Sequence, residues 1–302
     1  MERVAVNLLY DAAKAGVKAK RQTSRAASKT LRLCVAVGQG CDRGLAHAVR
    51  QALRPKTASL RLYVAGVGAG YEPAVVHAMA DAVIVLAGQD AAVAADLYRA
   101  YASRRVPCLV LVNFDDAAAE RARALVAREV SAEDIVVCDE MAVGGMLARW
   151  LIETLPDFET MLGAALDCCQ DEQGRRIVGQ AVRDNAMLGA LTFLRGADTP
   201  AMLACEVAML FKLAGNYGAP MGKERLVDVA GLTAFSLVCK QVAGLALRTP
   251  LPACLVKAGV AAAGTWVAGT VMQGRMRQAG QAEAAGEAVA ADRGYQGAGA
   301  DL

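Results

Sequence analysis

The sequence predicts an α/β domain followed by an all-helical domain, and three observations carry that prediction. Short apolar runs alternate with helical stretches from Leu31 to Pro156, and no strand-like run follows Pro156. The 302 residues are enough for two cores of ordinary size. Strands that are apolar throughout, instead of alternating apolar with polar, belong to parallel sheets covered on both faces, and helical crossovers join such strands. The first domain is therefore expected to be a Rossmann-like, doubly wound parallel sheet of about five strands.

Taken in order, residues 1–30 carry Arg3, Lys14, Lys18, Lys20, Arg21, Arg25 and Lys29 against Glu2 and Asp11, with Val4, Leu8, Leu9, Ala12 and Ala13 at helical spacing. This predicts a basic amphipathic helix that packs on its own domain or lies on anionic lipid. Residues 31–157 form the α/β domain. Its strands are LRLCVAV (31–37), LRLYVAGV (60–67), AVIVLAG (82–88), CLVLVN (108–113) and DIVVC (134–138). Helices are expected over 43–53, near 73–80, and over 91–103, 117–128 and 141–155. Residues 158–275 form the helical domain, with helices over 158–192, 201–217, 223–247 and 250–272. Asp198 caps the second of these, Pro200 sits in its first turn, and Gly218 with Pro220 closes it. Residues 276–302, rich in Gly, Ala and Gln with scattered charges, read as a disordered tail.

The stretch 250–272 holds one charge, Lys257, and is long enough to cross a bilayer. Alanine and glycine add little transfer energy, however, and a central lysine opposes insertion. A mostly buried pair of helices is expected there, with peripheral or partial association with the inner membrane.

Composition narrows the chemistry. Nine cysteines, an odd number without a C-x-x-C pair, fit neither a disulfide framework nor a zinc site and point to the reducing cytoplasm. Two histidines, His47 and His77, leave little material for Ser-His-Asp catalysis. A formal net charge of +3 is too small to imply nucleic-acid binding. The N-terminus has no arrangement expected of a cleaved signal.

The stretch GQGCDRG, 38–44, follows the first strand and opens a helix, where a phosphate loop stands in nucleotide-binding proteins. Counted from Gly38, the Gly, Lys and Ser/Thr positions of a P-loop hold Arg43, Gly44 and Leu45. The third glycine of G-x-G-x-x-G also falls on Arg43. Hydrolysis is therefore not expected. What is left is a candidate anion site: Gly38, Gly40, Arg43 and Gly44 at a helix N-terminus. Cys41 lies in the same loop, where a helix N-terminus can lower a thiol pKa. Carboxylates at Glu129, Asp134, Asp139 and Glu140, with Asp115 and Asp116, fall at one expected sheet edge, but solvated caps explain them as well as a metal does. No metal or cofactor is assigned.

In the C-terminal half, Ala197, Asp198, Pro200, Met209, Tyr217, Gly218, Pro250, Lys257, Gly264 and Thr265 carry a spaced pattern. It resembles the C-terminal helical domain of YcjF-type proteins over roughly 185–275. Glu206 stands where that family has glutamine, and Ala262 where an aromatic residue is common. The resemblance implies a helical domain of the kind joined to GTPases of the Era or dynamin-like type. It makes the α/β half readable as a degenerate G domain: after CLVLV come Asn113, Phe114, Asp115 and Asp116, so that Asn113 and Asp116 fill the base-selecting positions of Asn-Lys-x-Asp while the lysine is Phe114. Ordinary turn and cap chemistry accounts for the same two residues.

The expected function is a non-catalytic scaffold or regulator. Its partners would be a GTPase, inner-membrane lipid, or its own copies through the helical domain. The alternative is a Rossmann-like domain binding an anionic cofactor or nucleotide at Gly38–Gly44.

Overall fold

The computed structural model describes residues 29–68, 79–190, 198–220, 224–246 and 252–298. The expected N-terminal helix and the helix near 73–80 fall on residues 1–28 and 69–78, outside the described residues.

The five expected strands form: β1 (Leu31–Gly38), β2 (Leu60–Val67), β3 (Ala82–Leu86), β4 (Cys108–Asn113) and β5 (Ile135–Cys138). They make one sheet in the order β2-β1-β3-β4-β5. Every pairing is parallel, with Leu31 opposite Leu60, Leu33 opposite Ala82, Val83 opposite Cys108 and Val110 opposite Ile135. Parallel neighbours need crossovers, and three described helices supply them, α1 (Arg43–Ala52), α2 (Ala91–Ala102) and α3 (Ala118–Val126), while α4 (Val143–Thr154) follows the last strand.

Because successive strand residues point to opposite faces, an apolar run feeds two cores at once. Leu31, Leu33, Val35, Ile84, Leu86, Leu109 and Leu111 pack with Leu45 and Val49 of α1 and Leu147 and Leu151 of α4. Cys34, Ala36, Val83, Val85, Val110 and Val112 pack on the other face with Leu97 and Tyr101 of α2 and Leu125 of α3.

The first core continues past residue 157. Leu155, Met161, Leu162, Ala165, Leu166 and Cys169 are buried in it, through a 3-10 turn at Pro156–Phe158 and the short helix α5 (Glu159–Ala165). Lys29 Nζ donates to the Asp157 carbonyl at 3.2 Å, and the Lys56 amide donates to the Ala165 carbonyl at 3.0 Å. The compact α/β unit accordingly ends at Glu172, about one helical hairpin later than the expected boundary at 157/158. The loss of strand pattern marks the end of the sheet, and the helices after it still cover the sheet.

The helical unit beginning at Gln173 holds most of α6 (Asp167–Ala190), then α7 (Asp198–Asn216), α8 (Glu224–Ala246) and α9 (Ala253–Ala298). Its core gathers Ile177, Val178, Met209, Leu210, Leu213, Leu232, Met272 and Met276. Small residues admit close neighbours: a methyl on Gly264 would stand 2.8 Å from Cys239 Sγ, and one on Gly269 would stand 2.6 Å from Val178 Cγ1. Gly218 ends α7 with φ +65°, the left-handed conformation that favours glycine at a helix C-terminus. A buried ion pair, Arg225 Nη1 to Asp228 Oδ2 at 2.7 Å, is extended by Arg275 Nη2 at 2.8 Å from Asp228 Oδ1.

Two expectations are corrected here. The tail expected from 276 is helical to Ala298. Met276 is fully buried and Ala279 packs on the same core, so the Gly/Ala-rich composition is small-residue helix packing, not low burial. The apolar stretch of α9 is not mostly buried either. Ala253–Glu283 is long and apolar enough to cross a membrane, and only 22% of its most apolar window is buried.

Candidate functional site

In a doubly wound sheet, ligands sit beyond the carboxyl ends of the strands where the winding reverses. Here the reversal lies between β1 and β3, flanked by the loops that begin at Gly38 and Ala87. The Gly38 and Gly40 loop is thus in the right place for a ligand.

Its glycines, however, serve contact between the two loops. A methyl on Gly38 would stand 2.6 Å from the Gly88 nitrogen, and one on Gly88 would overlap the Gln39 carbonyl. The Gln89 amide donates to that carbonyl at 3.1 Å, the Gln39 amide to Val67 O at 3.0 Å, and the Cys41 amide to Gly38 O at 3.0 Å. Gly40, with φ +74°, makes the tight turn. The cavity left at the reversal, between Gly38, Gln39, Gly68, Gly88 and Asp90, measures about 70 Å³. Small-molecule sites occupy roughly 300–1,000 Å³.

The helix N-terminus beside this loop is already filled. Asp42 caps α1, its Oδ1 accepting from the Leu45 amide at 2.8 Å. A methyl on Gly44 would overlap the Glu140 carboxylate, so a second carboxylate lies against the same first turn. Arg43 is exposed.

The same chemistry repeats along the edge. Asp90 Oδ1 accepts from Ala92 N at 2.8 Å at the start of α2. Asp115 Oδ1 accepts from Ala117 N at 3.0 Å before α3, and Asp139 Oδ1 from Ala142 N at 2.7 Å before α4. Asp42 and Asp90 are thus the N-caps of α1 and α2, whereas Asp115 and Asp139 fold the turns that lead into α3 and α4, whose cap positions are Ala117 and Ala142. Helix N-termini carry partial positive charge, which is what makes them anion sites; at α1 and α2 the chain's own carboxylates cap it, and at α3 and α4 a carboxylate stands in the turn immediately before it.

Asn113 is half-buried at the end of β4, and its carbonyl accepts from Arg121 Nη2 at 3.1 Å. Arg121 Nη2 also meets Asp115 Oδ1 at 2.8 Å. This hydrogen bond, with the backbone amides of the turn, holds the Asp115 carboxyl below the usual carboxylate range. Asp116 is exposed and makes no hydrogen bond among the described residues. The turn-forming carboxylate is thus Asp115, between the two residues singled out by the base-selecting pattern.

Cys41 is not activated. Burial, then the charge of Asp42, raises its thiol pKa, and Arg121 opposes them only in part. The expected acidic group is also divided: Asp134 precedes β5 and accepts from Tyr98 Oη at 2.5 Å, whereas Asp139 follows β5 at the opposite edge. Among the described residues no group of three His, Cys, Asp or Glu side chains gathers to hold a metal.

Comparison with family models, curated proteins and solved structures found no match for this chain.

In the helical unit, sequence reading noted Glu206 only as a departure from glutamine. It proves to be a junction of four helices. Ser236 Oγ of α8 lies 2.5 Å from Glu206 Oε2, and Thr265 Oγ1 of α9 lies 3.4 Å from Oε1. Asn185 Nδ2 of α6 donates to Thr265 Oγ1 at 2.7 Å. Burial raises the Glu206 pKa against the lowering effect of the two hydroxyl bonds. The signal was available in the sequence: one acid within the apolar run of 201–211.

Proposed function

We propose that the protein is a non-catalytic scaffold or regulator, in which a G-like α/β module without nucleotide hydrolysis is fused to a helical, membrane-associating domain. The observation that carries this reading is the row of carboxylates at the helix starts, Asp42 and Asp90 as N-caps of α1 and α2, Asp115 and Asp139 in the turns just before α3 and α4, with Glu140 against Gly44. A phosphate entering there would have to displace or face negative charge already held at the helix starts, on carboxylates that are solvent-exposed, so the repulsion is screened but of one sign along the whole edge. The missing P-loop lysine and hydroxyl point the same way. The rival, an anionic cofactor at Gly38–Gly44, has Arg43 in its favour and both Asp42 and Glu140 against it.

Membrane association is supported by apolar side chains left in solvent on the last two helices: Val238, Val242 and Leu245 of α8, and Leu255, Trp266 and Val271 of α9. Between Lys257 and Arg275 the sequence of α9 holds no charge, a rise of about 27 Å at 1.5 Å per residue, close to a bilayer's hydrocarbon thickness of about 30 Å. The YcjF-type resemblance supports a GTPase as partner. It would supply in trans the chemistry this chain lacks.

The reading is tested on purified full-length protein. GTP and ATP turnover should equal background with magnesium, and the protein should float with phosphatidylglycerol vesicles through Trp266 and Val271. Turnover lost in Arg43→Ala, or flotation unchanged in a Trp266→Glu/Val271→Glu variant, would contradict it.

A further inference from the structure

A parallel sheet is ordinarily covered on both faces, and among the described residues no helix covers one strip of this one. On the face that carries α1, the edge strand β2 leaves Val64 57% exposed and Leu62 half-buried. The reason lies in α1, which has only ten residues and packs beside α4, leaving the β2 side of β1 open. The result is a groove in two connected parts of about 450 and 270 Å³, which share His47, Arg50 and Leu62. Its floor is Val35, Val37, Leu62 and Val64.

The wall of the groove has a definite sign. His47, Arg50 and Gln51, on one face of α1 at i, i+3 and i+4, line it together with Arg54 just past the helix end. No acidic side chain lines it among the described residues. Arg50 and Arg54 are exposed and make no ion pair among those residues.

We propose that this groove is a docking site for an acidic amphipathic helix of a partner protein. The apolar stripe of that helix would take the place over Val37, Leu62 and Val64 that a longer crossover helix would fill, and its Glu or Asp residues would meet Arg50 and Arg54. Charge selects the occupant: the chain's own N-terminal 30 residues carry seven basic residues against two acidic ones, the wrong sign for this wall. Helix-in-groove recognition takes its affinity from apolar anchors at i, i+3, i+4 and i+7, and charge on the rim sets the choice of partner. The groove lies on the β2 side of β1 and shares no lining residue with the cavity at the β1/β3 reversal, so it stands whether or not that reversal holds a ligand.

The test uses the full chain and a fluorescein-labelled synthetic helix of about 18 residues with Leu at i, i+3, i+4 and i+7 and Glu on both flanks. A second peptide carries Lys in place of every Glu. Anisotropy should show saturable binding of the Glu peptide and at least tenfold weaker binding of the Lys peptide. Val64→Asp, on an exposed side chain and checked for an unchanged melting midpoint, should weaken the Glu peptide at least tenfold. Arg50→Glu/Arg54→Glu should invert the preference. Equal binding of both peptides, no binding of the Glu peptide, wild-type binding by Val64→Asp, or competition by phosphatidylglycerol vesicles that Val64→Asp abolishes would overturn the proposal; the last would make the groove a lipid site.

Discussion

Glu206 is the residue at which local chemistry has the widest reach. Its carboxyl is buried, receives only hydroxyl bonds, and has its pKa raised by burial. An acid whose folded pKa exceeds its unfolded one holds its proton in the fold where the unfolded chain has lost it. The stabilisation is therefore full below the ordinary glutamate range and is lost as pH rises through the raised folded value. Glu206→Gln keeps the shape and the neutral form, so the variant should show a flatter decline of melting midpoint over that window and greater stability than wild type at its alkaline end. Glu206→Ala should cost about 1–3 kcal/mol, because Ser236 and Thr265 lose a buried partner.

The glycines give a second contrast at residue scale. Gly44→Ala places a methyl against the end of the flexible Glu140 side chain, whereas Gly88→Ala places it in the Gln39 backbone carbonyl. The first should be near neutral, or stabilising by up to about 1 kcal/mol from helix propensity. The second should cost about 2 kcal/mol or more, because backbone must move. Denaturant midpoints of the two variants check both. Nothing local in GQGCDRG or AGQD announces this contact; it forms only when β1 and β3 become neighbours.

At the scale of elements, the strands were legible and the ends of helices were not. Residues 33–37 and 108–112 are apolar without interruption, and burial on both faces requires just that, so the pattern has one reading. The boundary at Glu172 escaped because Met161, Leu162, Ala165 and Leu166 recur at helical spacing, and spacing alone does not say which core receives them. The last helix escaped because Gln, Gly and Ala resemble a linker until Met276 is seen to be fully buried. Met276→Ala should therefore destabilise the helical unit by about 2–5 kcal/mol, the range for large core side chains cut to Ala. Thermal unfolding of the full chain, followed at a tryptophan of each unit, Trp150 and Trp266, should show the loss in the Trp266 transition alone; an unchanged midpoint would return residues beyond 275 to the status of a tail.

At the scale of the whole molecule, two units with separate cores follow from two hydrophobic periodicities, and that much of the architecture was legible from sequence. The candidate site was legible only as a place. Gly38 and Gly40 do stand where the sheet reverses, but what fills the helix N-termini there depends on Asp42 of one loop and Glu140 of another, nearly a hundred residues on in the sequence. Pattern reading supplied the missing lysine and hydroxyl; only the fold supplied the carboxylates. The central claim is that these carboxylates leave no place for a phosphate. Its most direct measurement is the melting midpoint of full-length protein titrated with GTP, GDP, ATP, NAD and inorganic phosphate, with and without magnesium. A ligand at a hundred times its Kd stabilises the state it binds by about 2.7 kcal/mol, a shift such a titration resolves. The account predicts no saturable rise with any of the five. A saturable, magnesium-dependent rise with one nucleotide, abolished by Arg43→Ala, would contradict it.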